Sequence, residues 1–259
     1  MSGSGANHRM LVLGTGFVGR YASERLIEHD DEEDEVGWQV SGTCTSAAKK
    51  RELEKIGIDA FIFDATKSKM TDLHTLKHAT HLLISIPTIA GIGDPLLFSY
   101  EDLRNTLSHG NLRWLCYLSS TSSALDTMVK RKSLSKGQKL RESRQYTARV
   151  HVADIYQAIK ASFKVPSSGR IYNVVDDDPA SRAEVFAFAR NLLEHRFPDM
   201  AKEFGDVSLP DLASTEKKMH GEKRVSNARL KNELGVRLLY PTYRSGLQSI
   251  FDSWSVDNY

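Results

Sequence analysis

The sequence predicts an α/β protein built on a doubly wound parallel sheet, with a small C-terminal lobe. Three observations predict it. Short apolar runs alternate with helical stretches at the spacing of strand–helix–strand units, and five such units fit into residues 1–122. The first apolar run leads directly into a glycine-rich turn, Gly14-Thr15-Gly16-Phe17-Val18-Gly19, that opens a helical pattern. Later runs stop abruptly at Asp64, at Pro87 and at a serine/threonine cluster beginning with Ser119, the punctuation expected where strands turn into loops.

Taken in order, residues 10–13 form the first strand, and the helical pattern after the glycines continues through 25–29. Residues 30–35 are six consecutive acids and read as a solvated loop. A second strand over 38–45 precedes a helix over 47–55, and a third strand over 60–63 ends at Asp64. The fourth strand, 81–86, ends at Pro87, and the fifth, 112–118, ends at Ser119-Ser120-Thr121-Ser122. From 124 to 149 the character becomes basic and polar, with Lys130, Arg131, Lys132, Lys136, Lys139, Arg141 and Arg144. A helix over 150–163, a strand over 170–175 and a helix over 181–195 follow, the last with Ser181 as its N-cap. The remainder is mixed and closes in a helical pattern over 243–254. This divides the chain into a dinucleotide-binding domain, 1–122, and a C-terminal region, 123–259, holding a substrate lobe and returning elements of the sheet.

Composition narrows the function classes. The 259 residues carry a net charge of +2, with 40% hydrophobic and 26% charged residues, so no global field calls for nucleic acid or an acidic membrane. No apolar run approaches the ~18 residues needed to span a bilayer. The two cysteines, Cys44 and Cys116, lack metal-ligand spacing and read as buried thiols in a reducing compartment. No metal site is expected. The N-terminus leaves no room for a secretory signal before the first strand, so a cytoplasmic protein is expected, or a plastid one if an upstream targeting segment is missing.

The glycine motif carries the chemistry. Gly14 permits the tight turn, Gly16 lets backbone approach a pyrophosphate, and Gly19 lets the helix pack close to the strand. The pyrophosphate would rest on the helix N-terminus, beside Thr15, Phe17 and Val18, where free N–H groups favour an anion. An acid at the end of the second strand would hold the ribose 2′-hydroxyl of NAD. Thr45 and Ser46 stand there instead, with Lys49, Lys50 and Arg51 following, which points to NADP. NAD is the alternative, with the cations as a solvated helix face. Asp64 would accept from the adenine amino group or cap a turn, and Ser85 and Pro87 complete the expected cofactor set.

With those residues stand Arg149-Val150-His151-Val152-Ala153-Asp154-Ile155, Ile171-Tyr172-Asn173-Val174-Val175-Asp176-Asp177 and Tyr240-Pro241-Thr242-Tyr243. Together they span nearly the whole chain, which resembles the extended and atypical short-chain dehydrogenase/reductases. More narrowly it resembles their NAD-dependent epimerase/dehydratase-like subgroup of plants and bacteria. The resemblance implies NAD(P)-dependent oxidoreduction or epimerisation at a hydroxyl or carbonyl, a small-molecule substrate of sugar-nucleotide type, and a homodimer as one arrangement. It implies catalytic roles for Ser120, with Thr121 beside it, and a substrate-facing role for Arg149 and His151. It also exposes a gap. The Val-Tyr-Gly continuation, the helix with Tyr-x-x-x-Lys and the sixth strand are missing, because Ser122 runs straight into Ser123-Ala124-Leu125. The pair that moves the hydroxyl proton is therefore absent. Tyr156 and Lys160 match that spacing in letters but lie on the helix that the resemblance places elsewhere, where they read as packing and a solvated end.

Other clusters have plainer readings. Arg149 and His151 would otherwise tie the lobe to the first domain. The basic stretch lacks nucleic-acid motif spacing, and Asp176-Asp177-Asp178 reads as an acidic turn before Pro179 rather than a metal site. Three functions stay open: an NADP-dependent epimerase/dehydratase-like enzyme, a non-catalytic NADP-binding sensor or scaffold, and a truncated, inactive form.

Overall fold

The structure, a computed structural model, describes residues 8–28, 37–89, 91–119, 146–165, 169–198 and 224–253. It divides into two compact units, Met1–Val129 and Lys130–Tyr259. The acidic run at 30–35, the basic stretch at 124–144, and Ser120 with Thr121 lie outside the described residues.

In the N-terminal unit, β1 (His8–Leu13), β2 (Trp38–Cys44), β3 (Asp59–Ile62), β4 (His81–Ile84) and β5 (Trp114–Tyr117) form one parallel sheet in the order β3-β2-β1-β4-β5. The chain thus winds outward in one direction to β3, then returns to the far side of β1 for β4. Helices α1 (Phe17–Ile27) and α2 (Ala47–Lys55) make the first two crossovers. Three short 3-10 turns, at Met70–Asp72, His74–Lys77 and Pro95–Ser99, and a helix α3 (Tyr100–Ser108) make the others. Those turns and α3 are not among the elements read from the sequence. All four residues of β4 are buried, as the continuous apolar run Leu82-Leu83-Ile84 requires of a strand covered on both faces.

One face of the sheet packs Leu11, Leu13, Leu82 and Ile84 against Leu96, Leu103, Met70, Leu73 and Leu76. Burying each such side chain contributes roughly 1.5–3 kcal/mol. Beyond β2, Leu53 of α2 seals Cys44, Ile58 and Ala60 in a smaller cluster. At the amino-terminal ends of the strands, rings from four neighbours stack. His8 lies on Trp38 at 4.7 Å between centroids, and His81 meets Trp38 at 4.8 Å and Trp114 at 5.9 Å.

The C-terminal unit contains a two-stranded antiparallel ladder, β6 (Tyr146–Thr147) with β7 (Ala180–Ser181). Its helices are α4 (Val152–Lys164), α5 (Arg182–Arg196), α6 (Ala228–Leu234) and α7 (Tyr243–Ser253). Ser181 caps α5 as expected, in a full capping box with Glu184. A core of Ala158, Leu230, Leu234 and Val236 joins α4 to α6, with Tyr172 and Val174 packed against it.

The expected strand over 170–175 is not one. The segment is extended and alternates inward and outward residues, yet has no ladder partner among the described residues. Side chains meet its backbone instead: Arg229 donates to the Ile171 carbonyl and the Asn227 amide to the Val175 carbonyl. The alternating pattern that reads as a strand is satisfied by burial of Tyr172 and Val174 on one side alone.

Candidate dinucleotide site

Two of the three glycines of the turn after β1 have a geometric reason within the fold, and the third does not. Gly14 has φ +93°, a left-handed conformation, and a Cβ there would fall 2.9 Å from Ile86 Cγ1 and 3.0 Å from the Ile86 nitrogen. Gly19 packs so close that a Cβ would lie 2.3 Å from the Gly14 carbonyl oxygen and 3.0 Å from Val12 Cγ1. Among the described residues, a Cβ on Gly16 would meet nothing within 4 Å. The first and third glycines are demanded by the protein itself. The second opens onto free space.

That space faces the start of α1. Gly16 is the N-cap and supplies no side-chain cap, and no acid stands in the first turn. The first N–H groups of the helix are orphan donors and the dipole adds partial positive charge, so the geometry suits an anion. Phe17 projects from this turn and is 78% exposed.

Thr43 of β2 holds the turn in place. Its hydroxyl accepts the Gly14 N–H at 2.8 Å, and its carbonyl accepts both the Thr15 N–H at 2.9 Å and the Thr15 hydroxyl at 2.8 Å. Thr15 reaches it because Gly42 has no Cβ, which would sit 2.5 Å from Thr15 Cγ2. Thr43 lies in the stretch that sequence reading searched for cofactor contacts, but its role as a buried staple leaves no sequence signal. Thr43→Val is expected to cost about 1–2 kcal/mol in urea unfolding by orphaning the Gly14 N–H. A variant as stable as wild type would remove the staple from the account.

No family model matches the chain, and no curated protein matches it in sequence. Solved structures do. A functionally unknown conserved protein from Silicibacter pomeroyi DSS matches with TM-score 0.63 at 24% identity, over 95% of this chain and 99% of its own. The Bordetella bronchiseptica enzyme WbmF, solved with NAD+ and UDP, matches with TM-score 0.65 at 13% identity, over 95% and 92%. Gre2 from Candida albicans, solved with NADPH, matches with TM-score 0.57 at 12% identity, over 93% and 99%. The chain has their Rossmann fold.

Within this Rossmann fold the other predicted contacts occupy distinct places. Thr45 and Ser46 are exposed at the end of β2, and the Ser46 hydroxyl caps α2 by accepting the Lys49 N–H at 3.2 Å. Lys49 and Lys50 lie along α2 beside Glu52 at 3.0 Å and Glu54 at 3.5 Å, exposed pairs of small energetic weight. Asp64 caps its own turn. Its carboxylate accepts the Thr66 hydroxyl at 2.7 Å and the Thr66 N–H at 3.0 Å, which hold it below the usual carboxylate range. Ser85 continues the ladder by donating its N–H to Leu13 at 2.8 Å, and Pro87 is exposed just beyond it. Ile86, between them, is the residue that abuts Gly14, and sequence reading missed it.

In the C-terminal unit, Arg149 donates from Nη2 to the Ala180 carbonyl at 3.0 Å, and its own carbonyl accepts the Asp176 N–H. Among the described residues Arg149 Nη1 and Asp176 Oδ2 are buried without hydrogen-bond partners, and burial pushes the Asp176 carboxyl up to about 6. The acidic turn is met residue by residue by cations. Asp176 faces the field of Arg149, Asp177 pairs with Lys231, and Asp178 pairs with Arg244. Among the described residues no cluster of metal-binding side chains forms.

His151 is the N-cap of α4, its Nδ1 accepting the Ala153 N–H at 3.2 Å, and its ring lies 4.0 Å from that of Tyr240. Burial lowers its proton affinity, which keeps Nδ1 free to accept. Arg149 and His151 are therefore both engaged inside their own unit. Tyr156, of the Tyr-x-x-x-Lys letter match, is only 6% exposed and packs into that unit on α4. No helix of the described residues is long and apolar enough to cross a membrane.

Proposed function

We propose that the N-terminal unit binds a nicotinamide dinucleotide, NADP in preference to NAD, and that the chain serves oxidoreduction or epimerisation at a hydroxyl or carbonyl. The observation that carries this reading is the contrast among the glycines. Gly14 and Gly19 are fixed by contacts within the fold, whereas Gly16 leaves open the one direction from which a pyrophosphate would reach the uncapped helix. The end of β2 presents hydroxyls in place of a carboxylate, with Lys50 one turn along, so nothing there repels a 2′-phosphate. WbmF, solved with NAD+ and UDP, and Gre2, solved with NADPH, support the cofactor class. WbmF's UDP supports a substrate of sugar-nucleotide type.

In this reading Ser120 and Thr121, just beyond β5, are the groups that polarise the substrate oxygen. The cofactor supplies or accepts the hydride when bound. The chain's own task is to hold the pyrophosphate on α1 and to place the reacting carbon over the carboxyl ends of β4 and β5. Titration of the purified chain with NADPH and with NADH tests the reading. A saturable complex is expected for both, tighter for NADPH, and Lys50→Ala is expected to narrow the difference. Equal affinities in wild type would leave NADP without support, and no complex with either would sink the assignment.

A further inference from the structure

We propose that the acidic turn Asp176-Asp177-Asp178 is a proton-operated clasp of the C-terminal unit, in which ionisation of Asp176 loosens the joint that the turn makes with its neighbouring segments. The clasp lies within this unit alone and is independent of the dinucleotide reading.

The turn ties together segments far apart in the chain. The Asp176 N–H donates to the Arg149 carbonyl at 2.6 Å, ahead of α4, and the Asp177 N–H to the Pro241 carbonyl at 2.8 Å, ahead of α7. The Asp177 carboxylate accepts the Asn227 amide at 2.7 Å and Lys231 Nζ at 2.6 Å, at the N-cap and in the body of α6. Asp178 accepts from Arg244 in the first turn of α7. Two of the three carboxylates thus hold a cation of their own in bonding contact.

Asp176 does not. It is 7% exposed, and among the described residues its Oδ2 has no hydrogen-bond partner. Its cation is Arg149, whose Nη2 is given to the Ala180 carbonyl at 3.0 Å and whose Nη1 is likewise buried and unbonded. The two orphaned atoms therefore lie in groups that feel one another's charge without a bond between them. A buried carboxylate left in this way bears the cost of desolvation while charged and sheds it by taking up a proton.

The surrounding groups do not relieve it. Asp178 and Asp177 add like charge from the turn itself. From α5, Arg182 and Glu184 act on Arg149 in opposite senses, and from α7 the Tyr243 ring lies 5.9 Å from its guanidinium. Lys231 and Arg244 are engaged by the other two carboxylates. Burial, aided by Asp178 and Asp177, outweighs Arg149 and pushes the Asp176 carboxyl up to about 6. An unfolded aspartate titrates near ~3.9, so as pH falls the folded unit takes up the proton first and gains stability between about 6 and 4. At neutral pH the charge is present and the clasp is at its loosest.

Amide hydrogen exchange in α4 and α7, expressed as protection relative to an unstructured chain at the same pH, reads the clasp within its own unit. Protection is expected to rise about ten-fold from pH 7.5 to pH 5 in the wild type, the factor that a midpoint of about 6 gives. Asp176→Asn, nearly the same shape but unable to ionise, is expected to be as protected at pH 7.5 as at pH 5. Arg149→Met removes the one field that favours the charge and is expected to move the midpoint upward. A pH response in Asp176→Asn equal to that of the wild type would overturn the proposal. So would a carbon-13 NMR titration of the wild-type Asp176 carboxyl that gave an ordinary midpoint near ~4, a measurement that needs neither variant to fold.

Discussion

Gly19→Ala is expected to destabilise the N-terminal unit by about 3 kcal/mol, whereas Gly16→Ser leaves stability intact and abolishes tight NADPH binding. The two residues stand three apart in one motif, and the difference comes from what a Cβ would meet. At Gly19 it would lie 2.3 Å from a backbone carbonyl oxygen and 3.0 Å from Val12. A backbone atom cannot rotate aside, so the glycine turn or α1 has to shift, at the upper end of the usual cost of overpacking. At Gly16 the Cβ enters open space, and serine is a better N-cap than glycine, so folding is unaffected or slightly favoured. The same serine fills the approach to the helix N-terminus and caps the donors a pyrophosphate would use. Urea unfolding beside NADPH titration separates the effects, with at least a ten-fold loss of affinity expected for Gly16→Ser. If Gly16→Ser bound NADPH as wild type does, the open direction would not be the ligand's.

The second large effect is acid sensitivity centred on His81. Its ring is 6% exposed, packed among Trp38, Trp114 and His8, and accepts or donates at Nδ1 with the Thr80 hydroxyl at 2.9 Å. Burial, reinforced by the fields of His8 and Arg113, lowers its pKa to about 4. An unfolded imidazole titrates near 6.5, so as pH falls the unfolded chain takes up the proton first. The stability due to neutral burial is complete above pH 6.5 and is lost between 6.5 and about 4, amounting to about 3 kcal/mol. Urea unfolding at pH 7.5 and at pH 4.5 is expected to show that loss in wild type. His81→Gln, which cannot titrate, is expected to flatten it. An equal acid slope in both proteins would place the sensitivity elsewhere.

The contrast between these residues shows what the sequence displays and what it conceals. The glycine turn was readable because strand, turn and helix leave residue-type requirements at fixed spacing, and α2 was readable over its full length from Ala47 to Lys55. Ser181 announced α5 because a hydroxyl followed three residues later by Glu184 is a local device. Thr43, Ile86 and the Asp94–Tyr117 bond were not readable, because each acts across the sheet on residues 23 to 72 positions away. The N-capping of α4 by His151 was not readable either, because it depends on a ring orientation that letters do not carry. The segment at 170–175 misled for the opposite reason, since its alternation is real but answers to a one-sided core rather than to a neighbouring strand.

The acidic turn of the C-terminal unit bears on the order in which the chain can come together. Asp177 waits for Lys231, 54 positions later, and Asp178 for Arg244, 66 positions later, while only Arg149 precedes them. During synthesis, three adjacent like charges emerge with only one of their three cationic partners already made. The counter-charges of the second and third acids lie on α6 and α7, so these contacts of the turn close only after that part of the chain has been made. The charge of one short turn is thus balanced from segments made long after it.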